Sequence, residues 1–201
     1  MQNETEKKIL QAAKAVFIQK GFAGARMQEI ADRAQINKAM LHYYFKSKRK
    51  LFEGIVADNV QLMAPKLSAV LKSEATVYEK LCNFVDTYVD AIVQNPDIPM
   101  FLLHELAQGN KDSIDKMKQI MDEGNSISNF IAQIEDEQKK GILRPLPPQH
   151  IMLTTMSLIA FPFVARPVFE RMLEIPSEMY LDLMLKRKPY VKEIIKSSFL
   201  N

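Results

Sequence analysis

Between Arg33 and Phe52 the chain has no carboxylate, yet it carries Arg33, Lys38, Lys46, Lys48, Arg49 and Lys50 around the aromatic run His42-Tyr43-Tyr44-Phe45. Cations and rings interleaved in this way form the footprint of a surface built to meet phosphate. The rest of the chain sharpens the contrast. Residues 1–52 hold 11 Lys+Arg against 4 Asp+Glu, whereas residues 53–201 hold 16 against 20. A net charge of +3 therefore hides a basic head on an acidic body, which predicts one nucleic-acid-binding end.

Other chemistry does not assemble. There is no Walker loop, no G-x-G-x-x-G and no G-x-S-x-G. Ser113-x-x-Lys116 has the S-x-x-K spelling without its companion motifs, and Gly21-Phe22-Ala23-Gly24 spells a KH loop in a stretch with no strand beside it. Asn3-Glu4-Thr5 is a glycosylation sequon without a secreted context. His42, His104 and His150 are too scattered for a zinc site, and the single Cys82 has no intramolecular partner, which fits a reducing cytoplasmic home. No catalytic residue, metal or cofactor is expected. The uncharged run Ile151–Ala165 is shorter than the roughly 20 residues that span a bilayer, so no membrane partner is expected. The N-terminus has no secretory signal pattern.

The elements that must carry the basic stretch are helices. Ile9, Leu10, Ala13, Val16 and Phe17 repeat at helical spacing, predicting a helix over Glu4–Lys20, with Asn3 as cap and Gly21 as stop. A short helix fits Met27–Ala34, Gln35-Ile36 forms a turn, and Asn37 caps a third helix over Lys38–Phe45. At about 100° per residue that third helix turns Leu41, Tyr44 and Phe45 inward and Ala39 and Tyr43 outward, with Lys38, Met40 and His42 on the flanks. A fourth helix starts after Ser47 with Lys48-Arg49-Lys50, the wrong sign for a helix N-terminus unless an anion binds there. All prolines lie at or after Pro65, which places the end of the head near that residue.

Helix 2, a short turn and helix 3 make a helix-turn-helix. Gly21-Phe22, Glu29-Ile30-Ala31, Ala34-Gln35-Ile36-Asn37-Lys38 and Leu41-His42-Tyr43-Tyr44-Phe45-Lys46-Ser47-Lys48 with Leu51-Phe52 resemble the N-terminal domain of TetR-type transcriptional regulators, over about residues 4–55. The resemblance implies an all-α homodimer: a helix-turn-helix head, residues 1–47, binds double-stranded operator DNA, and a larger helical domain, residues 48–201, binds a small molecule and dimerises. It implies that Asn37, Lys38, Ala39, Met40, His42 and Tyr43 face the major groove and its phosphates, that Lys48 anchors a phosphate, and that Gln28 reaches a base edge. Arg26 stands where Ser or Thr usually caps helix 2 and is assigned a phosphate contact. Gln35 stands where the turn usually has Gly, Ala39 where helix 3 often has Gly, and His42 where Tyr is usual. Ala39 and Met40 suit thymine methyls, predicting an A/T-leaning operator read partly through shape.

The body supplies an effector site. Its further helices are expected at Tyr78–Gln94, Ile98–Gln108, Asp112–Lys140, Pro148–Leu173 and Glu178–Phe199, with kinks or breaks at Pro162, Pro167 and Pro189 and a capping box at Thr76-x-x-Glu79. Twelve Met and eleven Phe suggest a soft interior that shapes itself around an apolar ligand. Phe101, Met117 and Met121 are its apolar candidates, and Tyr88, His104 and Thr155 its polar ones; each also reads as an ordinary core residue. Ile151–Leu173 and Met179–Leu185 are apolar nearly all round, which predicts a homodimer through the two C-terminal helices. The alternatives are an enzyme using the body's cavity and an interaction module whose basic stretch docks on an acidic surface.

Overall fold

A computed structural model describes residues 4–107, 115, 118, 119, 122 and 125–201. Among the described residues the chain is all-α, with a single isolated antiparallel bridge between Leu143 and Leu200. The helices are α1 (Glu4–Gly24), α2 (Met27–Arg33), α3 (Lys38–Tyr44), α4 (Lys48–Lys72), α5 (Val77–Val93), α6 (Ile98–Ala107), α7 (Ser126–Lys139), α8 (Pro148–Val164), α9 (Arg166–Met172) and α10 (Ser177–Phe199). Among the described residues no single helix is long and apolar enough to cross a membrane, and one bent pair, α8–α9, has the length and composition only when its two helices are taken together.

The first three helices and the start of α4 enclose one apolar centre. Ile9, Ala13, Val16 and Phe17 of α1 meet Ile30 and Ala31 of α2, Leu41 of α3, and Leu51 and Phe52 of α4, all buried. Phe17, Phe22 and Phe52 interlock, with the Phe52 ring edge-on to Phe17 at 4.9 Å and to Phe22 at 5.2 Å. Gly54 lets α4 come this close. A Cβ there would lie 3.0 Å from the Phe45 ring and 3.2 Å from Leu10.

Several boundaries differ from the sequence expectation. Gly21 does break α1, with φ 66° and ψ 171°, but one more helical turn follows to Gly24. The expected cap Asn3 lies outside the described residues. Pro65 does not end the head: α4 runs through it to Lys72, so one helix of 25 residues links head and body. The expected helix over 112–140 does not form as one piece within the described residues, because Asn125 adopts a left-handed conformation, φ 59°, and α7 begins after it. The apolar stretch 148–173 bends by 71° between α8 and α9, where Pro167 follows Ala165-Arg166.

In the body, α5 is the central strut. Its start is fixed by the expected capping box: the Thr76 hydroxyl accepts the Glu79 amide at 3.3 Å, and Glu79 accepts the Thr76 amide at 2.9 Å. Helices α4, α7, α8 and α10 all pack on α5. Lys188 and Lys192 of α10 add ion pairs to Asp90 and Asp86. The C-terminus is tied back where Arg144 N–H donates to the Phe199 carbonyl at 2.8 Å.

Candidate nucleic-acid interface and effector cavity

The interface begins with the turn between α2 and α3. The Ile36 amide donates to Ala31 at 3.0 Å and Gln35 takes φ 56°, a left-handed turn made without glycine. Asn37 then caps α3 as expected, its side chain accepting the Met40 amide at 2.7 Å. Leu41 and Phe45 point into the core, and the remaining face of α3 is left outside. Lys38, Ala39, Met40, His42 and Tyr43 are all exposed, together with Asn37. Tyr43 is the extreme case at 82% exposed, held edge-on against Tyr44 at 5.5 Å between centroids. Among the described residues nothing covers this phenol.

The flanks carry the expected cations with unequal freedom. Arg26 precedes α2 in extended conformation, makes no cap hydrogen bond and is exposed. Gln28 is exposed, but its amide donates to Asp32 at 2.8 Å, so a base would compete with that carboxylate. Lys48 is committed further than the sequence suggested: its ammonium donates to the Ala23 and Ala25 carbonyls, each at 3.1 Å, and lies 4.8 Å from the Phe22 ring centre. It staples the start of α4 to the last turn of α1 and the α1–α2 linker. The misfit of three cations at the α4 N-terminus is eased locally, because Ser47 accepts the Lys50 amide and Glu53 pairs with Lys50 at 2.6 Å and Arg49 at 3.4 Å.

Residues 9–55 match the sequence model of the bacterial regulatory proteins, tetR family. The chain is 26% identical over 197 residues to the "Probable HTH-type transcriptional regulator YttP" of Bacillus subtilis, covering 96% of this chain and 92% of that one. Over residues 9–55 this chain carries a TetR-type regulatory domain. It is also 29% identical over 144 residues to the HTH-type transcriptional repressor NicS of Pseudomonas putida, covering 71% of this chain and 67% of that protein. The fold is shared with the fatty acid degradation regulator FadR of Bacillus halodurans, at TM-score 0.60 and 16% identity over 97% of this chain and 96% of that one. It is shared as well with AibR, solved with isovaleryl coenzyme A and operator DNA, at TM-score 0.60 and 19% identity over 80% and 86%. The relatives it matches along most of its length are named as transcriptional regulators, not as enzymes.

The body of the chain holds a cavity of about 250 Å³ between α4, α5, α7 and α8. Tyr88 and Thr155, two of the residues singled out from sequence, line it. Thr155 spends its hydroxyl on the Ile151 carbonyl at 2.8 Å, while burial pushes the Tyr88 phenol well above its ordinary value, keeping it neutral. Met117 and Met121 fall outside the described residues, and Phe101 and His104 belong to α6 with side chains outside those described. Lys80 on the cavity wall was missed. Its signal was present: Val77, Lys80, Leu81 and Phe84 share one face of α5, so Lys80 interrupts an otherwise apolar stripe.

Head and body also touch through a polar contact beside the α1 kink. The Phe22 amide donates to the carboxylate of Asp97, in the turn between α5 and α6. Two residues earlier Asn95 donates to Asn59 of α4 at 2.9 Å. Burial raises the Asp97 carboxyl above its ordinary value, against the opposing pull of Arg166 and of the Phe22 amide. Arg166 opens α9, where it pairs with Glu170 at 2.6 Å and donates to the Ser177 carbonyl at 3.0 Å.

Proposed function

We propose that this chain is a dimeric TetR-type repressor of a palindromic operator, released when a small, largely apolar effector fills the body cavity. The observation that carries the reading is the outer face of α3, where Tyr43, Met40, His42 and Lys38 stand exposed on a rigid, capped helix. Asn37, Lys38, Ala39, Met40, His42 and Tyr43 enter the major groove; Arg26 and the third donor of Lys48 meet phosphate; Gln28 reaches a base edge after leaving Asp32. The head is residues 1–47 and the effector-binding body 48–201, with α4 serving both because its first turns complete the head core.

The dimer forms through α8, α9 and α10, whose outer faces leave Leu153, Phe161, Met172, Leu173 and Met179 exposed, Met172 by 74%. So much apolar surface on adjacent helices favours a second copy over water. Two heads roughly 34–36 Å apart then read successive major grooves. An effector wedged between α4 and α5 shifts α4, and Asn59–Asn95 and Phe22–Asp97 pass the shift to the head. The size of the response equals the effector's preference between the two head spacings. Electrophoretic mobility shift on a selected operator tests this: Tyr43→Ala is expected to weaken binding at least tenfold without changing helical content, and unchanged affinity would overturn the assignment of α3.

A further inference from the structure

We propose that the effector is an apolar carboxylic acid, its hydrocarbon body in the cavity and its carboxylate on Lys80; this deepens the cavity reading above and rests on it. Lys80 is only 5% exposed and stands in the wall shared by two spaces. On one side lies the apolar cavity of about 250 Å³, walled by Leu67, Leu81, Phe84 and Phe130. On the other lies a polar recess of about 280 Å³, lined by Lys72, Ser73, Asn129 and Gln133. An apolar cavity of ~150 Å³ already holds benzene, so the dry side has room for a longer chain or a larger ring.

The ammonium is anchored but not neutralised. It donates to the Leu71 carbonyl at 2.8 Å and to Gln133 Oε1 at 2.6 Å, both uncharged oxygens, and sits 5.9 Å from the Phe130 ring centre. Among the described residues no carboxylate lies within ion-pair distance of it, and Glu74 and Glu137 act only from farther away. Glu137 is tied up through one oxygen only: its Oε1 accepts the Val77 amide at 3.0 Å and the Gln133 amide at 2.9 Å, holding the start of α5, while its buried Oε2 makes no hydrogen bond. A buried cation whose direct partners are neutral, with its nearest carboxylates beyond ion-pair distance, gains most from an anion that arrives with its own apolar body. Glu74 on the recess wall makes a single negative charge a better fit than a doubly charged phosphate. The start of α7, which contributes Ser126 and Asn129 to the recess behind an N-cap without a side-chain bond, has the polarity for an anion.

The test is calorimetric titration of the full chain with octanoate and with 1-octanol, which share a hydrocarbon body and differ in charge. Octanoate is expected to bind about tenfold or more tightly than octanol, as a charge-assisted hydrogen bond requires. Lys80→Met is expected to erase that preference while keeping octanol affinity, Lys80→Arg to restore it, and Leu67→Trp to abolish both by filling the cavity. Equal affinities in the unaltered protein, or a preference surviving in Lys80→Met, would overturn the proposal and leave the cavity reading standing. Failure of both ligands to bind would overturn the two together. Should Lys80→Met not fold for want of the Leu71 tie, the comparison of acid with alcohol in the unaltered protein decides alone.

Discussion

Replacing Lys48 by Met separates two things this side chain does. Its ammonium has three donors, and the Ala23 and Ala25 carbonyls take two of them at 3.1 Å each. Hydrogen bonds from a charged donor contribute about 1.5–3 kcal/mol each when buried. Lys48 is half-buried, so solvent screening brings the pair down to about 1–3 kcal/mol in total. For a chain of 201 residues that loss lowers the melting midpoint by about 2–12 °C. Methionine keeps the apolar stem against Phe22, so packing changes little. The third donor gives the second readout: removing one phosphate interaction from each of the two heads lowers the slope of log affinity against log salt by about 1.8. Thermal unfolding at fixed protomer concentration, and operator binding at several salt concentrations, measure the two separately. An unchanged midpoint would refute the staple from α4 to the last turn of α1 and the α1–α2 linker. A lowered midpoint with an unchanged slope would refute the phosphate interaction and leave Lys48 purely structural.

Gln35→Gly is expected to stabilise the chain by about 0.5–1 kcal/mol in urea unfolding, since left-handed backbone costs a side-chain-bearing residue about 1–2 kcal/mol and glycine's freedom returns part of that; destabilisation would contradict the turn geometry. Asp97 carries a carboxyl raised above its ordinary 3.8 by burial, so the folded state binds more protons than the unfolded state as pH falls through the raised value. Its ionised form therefore weakens the fold at neutral pH. Asp97→Asn is expected to raise the midpoint at pH 7, with the advantage shrinking as pH falls toward 4; an advantage that grows on acidification would show the opposite shift. Phe161→Glu together with Met172→Glu is expected to convert a dimer to monomers in light scattering, and an unchanged mass would remove α8 and α9 from the interface.

The sequence was most informative where one residue's chemistry decides local structure. Asn37 as cap of α3, the Thr76–Glu79 box, and the inward Leu41 and Phe45 against outward Tyr43 are all found where spacing and side-chain hydrogen bonding place them. It misled where tertiary packing overrides local preference. Pro65 sits inside α4 because the helix is held on both sides by the head and by α5, and Gln35 adopts a glycine-like conformation because Leu41 and Ile36 must reach the core. The commitments of Lys48 to carbonyls some 25 residues away, and of Gln28 to Asp32, depend on how α4 and α2 are set, which no pattern of spacing encodes. Of the cavity, Tyr88 and Thr155 were legible as polar groups within apolar stretches; Lys80 was overlooked because a lysine ordinarily reads as surface.

Operator reading by α3 is tested most directly by selection of random duplex DNA on the purified chain at physiological salt, repeated with Tyr43→Ala and Lys38→Ala. An A/T-leaning palindrome with half-sites about one helical turn apart is expected to be enriched, and both changes to weaken its binding. Salt-sensitive binding to every duplex alike, with no enriched sequence, would contradict operator reading and reduce the head to a generic anion surface.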